Sequence, residues 1–364
     1  MRRAGGLALA AAALFCRPLA GSEPETTPLV EPGPGLYYVG VYPGGTNGLG
    51  SDITPDQVAA FQTAAGKPPA WVYFCHNWFE GAGFPLETAS WIRARGSIPY
   101  IRLMILSEYG KPGPDPQFTL ANIIAGKFDG ALAEWMRAAK QFATPLIAEY
   151  GTEVNGWWFP WNGMYNTGRG GKAEGVARFR EAFRHIVRIA RAEGASNIRW
   201  VFHIDPWDEP AKRWNRFENY YPGDDWVDWV GVSVYGKQRP RDPYTPTFRY
   251  QMDWVYRRLR KLTSKPVVVC EFGTVRNEQQ APWAKAALED LLANRWPAVI
   301  GFSWWNADFE NDSLTHLRSN MLIQDNPALQ DVFRRYVGGS PRVLGAPLES
   351  NATERDERPA AVRQ

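Results

Sequence analysis

The chain has 364 residues, of which 45% are apolar, so it can bury one large hydrophobic core. Residues 1–20 hold three of the 41 basic residues, so 38 basic and 38 acidic residues remain beyond them. A formal charge near zero removes the main electrostatic support for nucleic-acid binding. The 17 Trp exceed what packing alone requires and indicate a further role for those that cluster near carboxylates.

Residues 1–20 have the pattern of an export signal. Arg2 and Arg3 form a positive start, and an apolar run from Gly5 to Phe15 follows. This run is too short to span a bilayer permanently, and Ala20 ends a segment that resembles a cleavage site. We therefore expect a secreted or periplasmic product without stable membrane insertion.

Two other export routes stay open: a lipoprotein anchor at Cys16, which the bulky preceding residue disfavours, and a twin-arginine signal. Residues 21–36 are rich in Pro, Glu and Thr and are predicted to be a linker. Residues 37–337 are predicted to form one catalytic domain without internal repeats. Residues 338–364 are polar and contain proline, which predicts a disordered tail.

Eight short, continuously apolar runs alternate with amphipathic helical runs. The predicted strands are Tyr37–Tyr42, Trp71–His76, Ile98–Leu103, Pro145–Gly151, Ile198–His203, Trp229–Val234, Pro266–Glu271 and Ala298–Trp304. The predicted helices are Pro55–Ala65, Leu86–Arg95, Phe128–Phe142, Gly175–Glu193, Arg249–Thr263 and Ala281–Asn294. Strands that are apolar throughout are covered on both faces, so this alternation predicts a single (β/α)8 TIM barrel. An open doubly wound sheet is the alternative, but no glycine-rich phosphate loop follows any strand.

Glu153 lies in a cluster of aromatic residues directly after the fourth predicted strand, in a segment that runs from Gly151 to Trp161. Indole rings offer rigid apolar faces on which sugars stack. A carboxyl group walled by such rings is partly desolvated, which raises its pKa and lets it hold a proton near neutral pH. These features are what a glycosidic general acid requires.

A second glutamate, Glu271, ends the seventh predicted strand. Barrel enzymes place their sites at the C-terminal ends of the strands, and strands four and seven lie across the barrel mouth. Glu153 and Glu271 are therefore expected to face each other over a glycosidic bond. A carboxyl separation near 5 Å would indicate retention of configuration, and a wider gap would indicate inversion.

The segment around Glu153 resembles the acid/base motif of glycoside hydrolase family 26, the β-mannanases and their relatives in clan A. The matching residues are Glu153, Asn155, Gly156, Trp158, Phe159 and Trp161. The resemblance spans roughly residues 37–336. It implies that Glu271 is the nucleophile, that Tyr235 hydrogen-bonds it, and that Trp304 or Trp305 forms an aromatic floor for the sugar. Trp158 and Phe159 are further predicted substrate contacts.

Two positions depart from the family pattern. Thr152 replaces the histidine that usually precedes the acid/base, and Glu149 replaces an arginine four residues before it. Alternate strand residues share a face, so Glu149 should point inward, deeper than Glu153. A buried carboxylate needs a partner, and we predict an ion pair within about 6 Å between Glu149 and Arg102 of the adjacent strand.

His76 and His203 end the second and fifth predicted strands and are predicted substrate contacts. The four histidines have no metal-ligand spacing, so neither a metal nor another cofactor is predicted. An acidic loop at residues 224–228 is interpreted as solvated rather than as a calcium site. Cys75 and Cys270 are expected to be free buried thiols because their strands are not neighbours.

The sequence thus predicts a secreted, monomeric (β/α)8 endo-glycosidase that cleaves a β-linked polysaccharide, most simply a neutral β-1,4-mannan, with retention. The departures at positions 149 and 152 keep β-1,3-xylan, mixed-linkage β-glucan and a bacterial exopolysaccharide open as substrates. The rival from another class is a barrel that binds glycan without cutting it. Epimer and linkage depend on contacts to single hydroxyl groups, which no pattern reveals.

Overall fold

A computed structural model describes residues 29–45, 48–311 and 315–348. Its centre is a closed barrel of eight parallel strands in chain order, which pairing between the first and eighth strands completes. The strands are β1 (Tyr37–Tyr42), β2 (Trp71–Asn77), β3 (Ile98–Met104), β4 (Leu146–Tyr150), β5 (Ile198–Ile204), β6 (Trp229–Tyr235), β7 (Val267–Gly273) and β8 (Val299–Trp305). The predicted (β/α)8 barrel is confirmed.

Helices cover the outside of the barrel between successive strands. They are α1 (Pro55–Ala65), α2 (Leu86–Ala94), α3 (Leu120–Ile124), α4 (Asp129–Phe142), α5 (Gly171–Glu193), α6 (Phe217–Tyr220), α7 (Phe248–Leu262), α8 (Gln280–Leu292) and α9 (Pro327–Phe333). Within the described part of the chain, none of them is long and apolar enough to cross a membrane. A hairpin of β9 (Asp308–Glu310) and β10 (Arg318–Asn320) follows the barrel.

The sequence fixes where several elements begin and end. Thr54 caps α1 by accepting from the backbone of Gln57, whose side chain accepts from the Thr54 N–H in return. Gly66 ends the same helix in the left-handed conformation. β4 is shorter than predicted because Gly151, at φ +79°, turns the chain out of the sheet.

Near the N-terminal ends of the strands, the barrel holds one large buried ring, the indole of Trp71. Gly40 of β1 and Gly301 of β8 face this ring, and a Cβ added there would come within 1.9 Å and 2.3 Å of its atoms. The indole N–H donates to Ser303 Oγ at 2.7 Å, so the buried polar group is satisfied. Small residues on two strands therefore make room for a large one on a third.

The N-terminal end of the barrel is covered by chain that the sequence assigned to a linker. Leu29 is buried, and its carbonyl accepts from Arg199 at the start of β5. Glu31 accepts from the Trp229 indole at the start of β6. The described part of the predicted linker, residues 29–36, is thus packed against the base of the fold, and the predicted signal at residues 1–20 lies outside the described residues.

The prediction of a disordered tail from residue 338 is wrong as far as residue 348. β11 (Val343–Leu344) pairs in parallel with β1, and Val343 is buried. Lys67 donates to the carbonyls of Ser340 and Val343 and fixes the approach to this strand. The strand was not predicted because it contains only two apolar residues within a polar segment. Residues 349–364 lie outside the described residues.

Candidate active site

The predicted ion pair between Arg102 and Glu149 is confirmed. The two residues are Cα partners on β3 and β4, and neighbours in parallel strands point to the same face. Arg102 Nε lies 3.6 Å from Glu149 Oε1, and both side chains are buried. The pair occupies the interior of the barrel below its C-terminal opening.

Glu149 is surrounded by donors. The hydroxyls of Tyr73, Tyr100 and Thr152 donate to its carboxylate at 2.7, 2.8 and 2.6 Å. Burial opposes ionisation of this carboxyl, but His203, Arg102 and Thr152 outweigh it and lower its pKa to about 2. These donors therefore favour the ionised form of Glu149 in the barrel interior.

His203 lies entirely within this network. Its Nδ1 is 3.0 Å from Glu149 Oε2, and its Nε2 is 2.9 Å from Ser233 Oγ. Burial opposes protonation, but Glu149 raises the pKa of His203. The prediction that His203 contacts substrate is wrong in this structure, because the ring is fully buried and both nitrogens have protein partners.

Glu271 lies on the inner face of β7, above this network. Its Oε1 is 3.1 Å from Arg102 Nη2, and the same oxygen lies 3.1 Å from the Tyr73 hydroxyl. The Tyr235 hydroxyl donates to Oε2 at 2.9 Å, which is the contact that the resemblance implied. Burial raises the pKa of Glu271, with Glu153 and Glu149 adding to the rise and Arg102 and His203 opposing it.

Glu153 lies just beyond β4, where the chain leaves the sheet. Its backbone has φ +47°, an uncommon conformation for a residue with a side chain. The half-buried carboxyl accepts from the Trp158 indole N–H at 2.7 Å through Oε2. Its charge raises the pKa of both Glu271 and Tyr235, so the two glutamates share one electrostatic environment at the barrel mouth.

Asp205 is a third carboxyl at this mouth that the sequence did not single out as a site residue. It follows β5, and its Oδ1 accepts from the Trp207 backbone N–H at 2.8 Å. Burial and then the charge of Glu153 raise its pKa well above the usual value for aspartate. Its position after a strand end, two residues beyond His203, is the signal that could have identified it.

The aromatic lining of the site comes from inward-facing strand residues and from the loop after β4. Trp305 stacks on Tyr42, with ring centroids 3.9 Å apart at 28°, and the Arg102 guanidinium lies 6.0 Å from its ring. Phe159 lies 5.5 Å from the same guanidinium. Trp305 also meets the Tyr235 ring edge-on, and the half-buried Trp158 donates to Glu153, so aromatic rings lie beside the partners of both glutamates.

Tyr42 and Tyr73 were not predicted from the sequence as site residues. Tyr73 shares an inward-facing phase with Trp71 and Cys75 on β2, which is the signal that marks it. Trp157 was also missed as a site residue; it is 45% exposed and meets Trp158 edge-on.

Two predicted substrate contacts point away from the opening, and both predictions are wrong. Trp304 is fully buried against Phe272 and Phe333 in the helix layer. His76 packs near the Trp135 ring of α4, and burial lowers its pKa to about 4. Each is one residue out of phase with an inward-facing neighbour, because successive side chains of a strand point to opposite faces.

Cys75 and Cys270 are free and buried, as predicted. Within the described residues, one group with metal-ligand chemistry occurs: Glu149, His203 and Cys270, whose ligand atoms lie within 4.8 Å of one another. Every member already has a partner, since the Cys270 sulfur lies 2.9 Å from the Tyr100 hydroxyl. A site made of occupied, fully buried groups gives no support for a bound ion.

A closed parallel barrel that brings carboxyl groups and aromatic rings together at the C-terminal ends of its strands defines the class of the barrel glycoside hydrolases. Residues 117–323 match the pattern of Glycosyl hydrolase family 26, and the chain belongs to this family.

Relatives and solved structures agree with this assignment. Endoglucanase H of Acetivibrio thermocellus is 25% identical over 293 residues, covering 80% of this chain and 30% of that protein. A β-1,3-xylanase of a Vibrio species is 30% identical over 118 residues, covering 32% of this chain and 22% of that protein. This chain therefore spans less than a third of the length of these relatives.

The fold is shared with solved mannanases. A family 26 β-mannanase from Bacteroides ovatus superposes with a TM-score of 0.58 at 18% identity, covering 85% of this chain and 90% of that one. A mannanase of Bacillus subtilis gives a TM-score of 0.54 at 17% identity, covering 82% and 87%. At this level of identity the likeness concerns the architecture.

Proposed function

We propose that this protein is a secreted endo-glycosidase that cleaves a β-linked polysaccharide with retention, using Glu271 as nucleophile and Glu153 as acid/base. The observation that carries the proposal is the environment of Glu271. A carboxylate held by the Arg102 guanidinium and the Tyr235 hydroxyl has a fixed orientation, and the charge of Glu153 raises its pKa, so the second carboxyl acts on the same site. Membership of a glycoside hydrolase family supports the same chemistry.

In the first step Glu271 attacks the anomeric carbon, and the bond to the leaving sugar breaks. Glu153 transfers its proton to the departing oxygen, so no alkoxide is released. The Trp158 N–H holds Glu153 Oε2 and leaves Oε1 for this transfer. The products are a glycosyl ester on Glu271 and a shortened chain.

In the second step Glu153, now ionised, takes a proton from water, whose oxygen attacks the same carbon. The ester bond breaks and Glu271 leaves as a carboxylate, to which Arg102 and Tyr235 restore their contacts. Two inversions at one carbon give net retention. The hydroxyl of Tyr73 lies within reach of both Glu271 and Glu149, and thereby links the nucleophile to the buried network.

For the substrate we propose β-1,4-mannan first, supported by the motif around Glu153. One observation favours the alternatives, β-1,3-xylan, mixed-linkage β-glucan or an exopolysaccharide. The Thr152 hydroxyl donates to Glu149 and accepts from Arg102 Nε at 2.9 Å, so position 152 offers no free donor to a sugar. Relatives named as an endoglucanase and β-1,3-xylanases agree with keeping these substrates in the test.

Replacement of each glutamate tests the catalytic assignment. Glu153→Gln and Glu271→Gln should each lower kcat on the cleaved polysaccharide by about a thousandfold or more. Purified mannan, β-1,3-xylan and mixed-linkage glucan form the panel, and nuclear magnetic resonance of the first-formed product reports its anomeric configuration. Glu87→Gln, at an exposed position on α2, is the matched control.

Hydrolysis that survives both active-site changes would contradict the assignment. Glycan binding without hydrolysis by the unaltered protein would instead favour the non-catalytic barrel.

Export is a separate proposal: mass spectrometry of the exported protein should find an amino terminus at Gly21. Light scattering should give the mass of a monomer.

A further inference from the structure

Three aromatic rings form an exposed stack outside the barrel mouth. Trp207 follows β5, and its ring lies 6.2 Å from that of Trp254 at 22° and 5.8 Å from that of Tyr250 at 34°. Tyr250 is 64% exposed and Trp254 is 44% exposed. Both lie on α7 four residues apart, so they share one face of the helix. Large rings grouped at the surface mark an interaction site more often than isolated ones do.

This stack lines a groove of about 1050 Å³ between the loop after β5 and α7. A second cavity of about 350 Å³ shares Trp207 and Tyr244 with it and extends to Asp205 and Tyr235. Tyr235 contacts Glu271 directly. The groove therefore adjoins the candidate active site through residues that line both cavities.

The groove is basic although residues 21–364 carry a formal charge near zero. Six basic and two acidic side chains line it. Arg258 is neutralised by Asp208 and Glu218. Of the other five cations, Arg216 lies 3.4 Å from Glu218. The last four are exposed and form no ion pair within the part of the chain that the structure describes: Lys212, Arg213, Arg257 and Lys261. The local charge differs from the overall balance that favoured a neutral glycan.

We propose that this basic aromatic groove, formed by Trp207, Tyr250, Trp254, Lys212, Arg213 and Lys261, binds an anionic stretch of polysaccharide. Indole and phenol faces stack on sugar rings, and the cations pair with carboxylate or other acidic groups on those rings. The inference rests on the proposed function, because a groove that adjoins the candidate active site would bind a stretch of its substrate. The acidic groups would lie away from the scissile bond.

The test measures binding with Glu271→Gln protein, so that no probe is consumed. Affinity electrophoresis uses carboxymethylated mannan and unmodified mannan at low and high salt. Lys212→Gln, Arg213→Gln and Lys261→Gln, combined, should weaken binding of carboxymethylated mannan about tenfold and leave unmodified mannan within about twofold. High salt should reduce the same interaction because these charges are exposed.

A matched control carries the same change in charge outside the groove: Lys285→Gln, Arg334→Gln and Arg335→Gln, all exposed. It should bind carboxymethylated mannan as the parent does. Tyr250→Ala with Trp254→Ala should weaken binding of both mannans, and a thermal unfolding curve verifies that each variant is folded.

The proposal is overturned if the groove triple variant binds carboxymethylated mannan as tightly as the control triple variant. Competition by poly-glutamate as strong as that by carboxymethylated mannan would also overturn it, since the surface would then recognise charge without sugar. Sulfated mannan distinguishes carboxylate from sulfate as the preferred acidic group. If the unaltered enzyme cleaves nothing but groove-dependent binding persists, the proposed function fails while the groove stands.

Discussion

Four buried ionisable side chains, two bases and two acids, meet beneath the candidate cleavage site. Arg102 and His203, whose pKa Glu149 raises, face the carboxyl groups of Glu149 and Glu271. Charges removed from water are tolerated only when each is paired and hydrogen-bonded. The departure from the family pattern at position 149 is thus part of a compensated set, in which Arg102 from the next strand supplies the positive charge.

Glu149→Gln should test this balance through stability. The folded pKa of Glu149 is about 2, below its ordinary value of 4.5, so its contribution of about 3 kcal/mol is present above pH 4.5 and is lost as pH falls towards 2. The variant should be destabilised by about 3–5 kcal/mol at pH 7, because Arg102 and His203 lose their anion. Urea unfolding at pH 7 and pH 3 measures both effects.

In that experiment the difference between parent and variant should shrink at pH 3. Glu87→Gln serves again as the exposed control and should unfold like the parent at both pH values. A difference that stays constant across this range would show that Glu149 acts through packing rather than through its charge.

Tyr235→Phe should change how activity depends on pH. In the proposed mechanism Glu271 must be ionised to attack, and because burial raises its pKa, the acidic limb of kcat/KM should lie at higher pH than it would for an exposed glutamate. The Tyr235 hydroxyl stabilises the ionised form, so its removal should raise the pKa of Glu271 further and shift this limb to higher pH.

The rate of Tyr235→Phe at its own optimum should fall about tenfold to a hundredfold, as expected when a hydrogen bond to a charged group is lost. Profiles of kcat/KM from pH 4 to pH 8 give both quantities. A profile that is lower but unshifted would mean that Tyr235 orients substrate without affecting the ionisation of Glu271.

The strands were predictable, but the phase of their side chains was not. Continuous apolar runs locate strands covered on both faces, and for that reason they do not reveal which residues face inward. Trp304 was assigned to the site together with Trp305, and His76 was chosen over Cys75, although only the second of each pair faces the barrel interior.

Carboxylates within the apolar strands gave a better guide than the histidines at strand ends. Glu149 is a charged residue within an apolar strand, so it required a buried partner, and this requirement correctly predicted the ion pair with Arg102. The direction in which the Glu271 side chain points depends on register shifts between β6 and β7 and between β7 and β8. No sequence pattern predicts these shifts.

Gly301→Ala should show how tightly β8 packs against the barrel interior. An added Cβ would lie 2.3 Å from the Trp71 ring and 2.9 Å from the Tyr38 carbonyl oxygen, and a backbone atom cannot move aside cheaply. Overpacking of this kind costs about 1–3 kcal/mol or more, so the midpoint of thermal unfolding should fall. Gly130→Ala is the control, because a Cβ there meets nothing within 4 Å; an equal midpoint for both variants would contradict the account.

The two ends of the barrel differ: the candidate active site lies at one end, and packed chain covers the other. The C-terminal ends of the strands carry both glutamates and open towards the basic aromatic groove. The opposite end is covered by residues 29–36, which contact the starts of β5 and β6. Polar segments at both termini, which composition assigned to linker and tail, thus belong in part to the packed fold.

Truncation tests whether the C-terminal segment stabilises the whole barrel. A chain ending at Gly339 loses β11, the buried Val343 and the two carbonyls that accept from Lys67, whereas a chain ending at Leu348 keeps them. Burial of one valine and a few hydrogen bonds together stabilise by about 2–4 kcal/mol. The shorter chain should therefore unfold at a lower temperature than the longer one, with kcat unchanged at a temperature where both are folded. Equal unfolding midpoints would contradict a stabilising role. A loss of kcat in the folded shorter chain would show that the C-terminal segment also affects the geometry of the candidate active site.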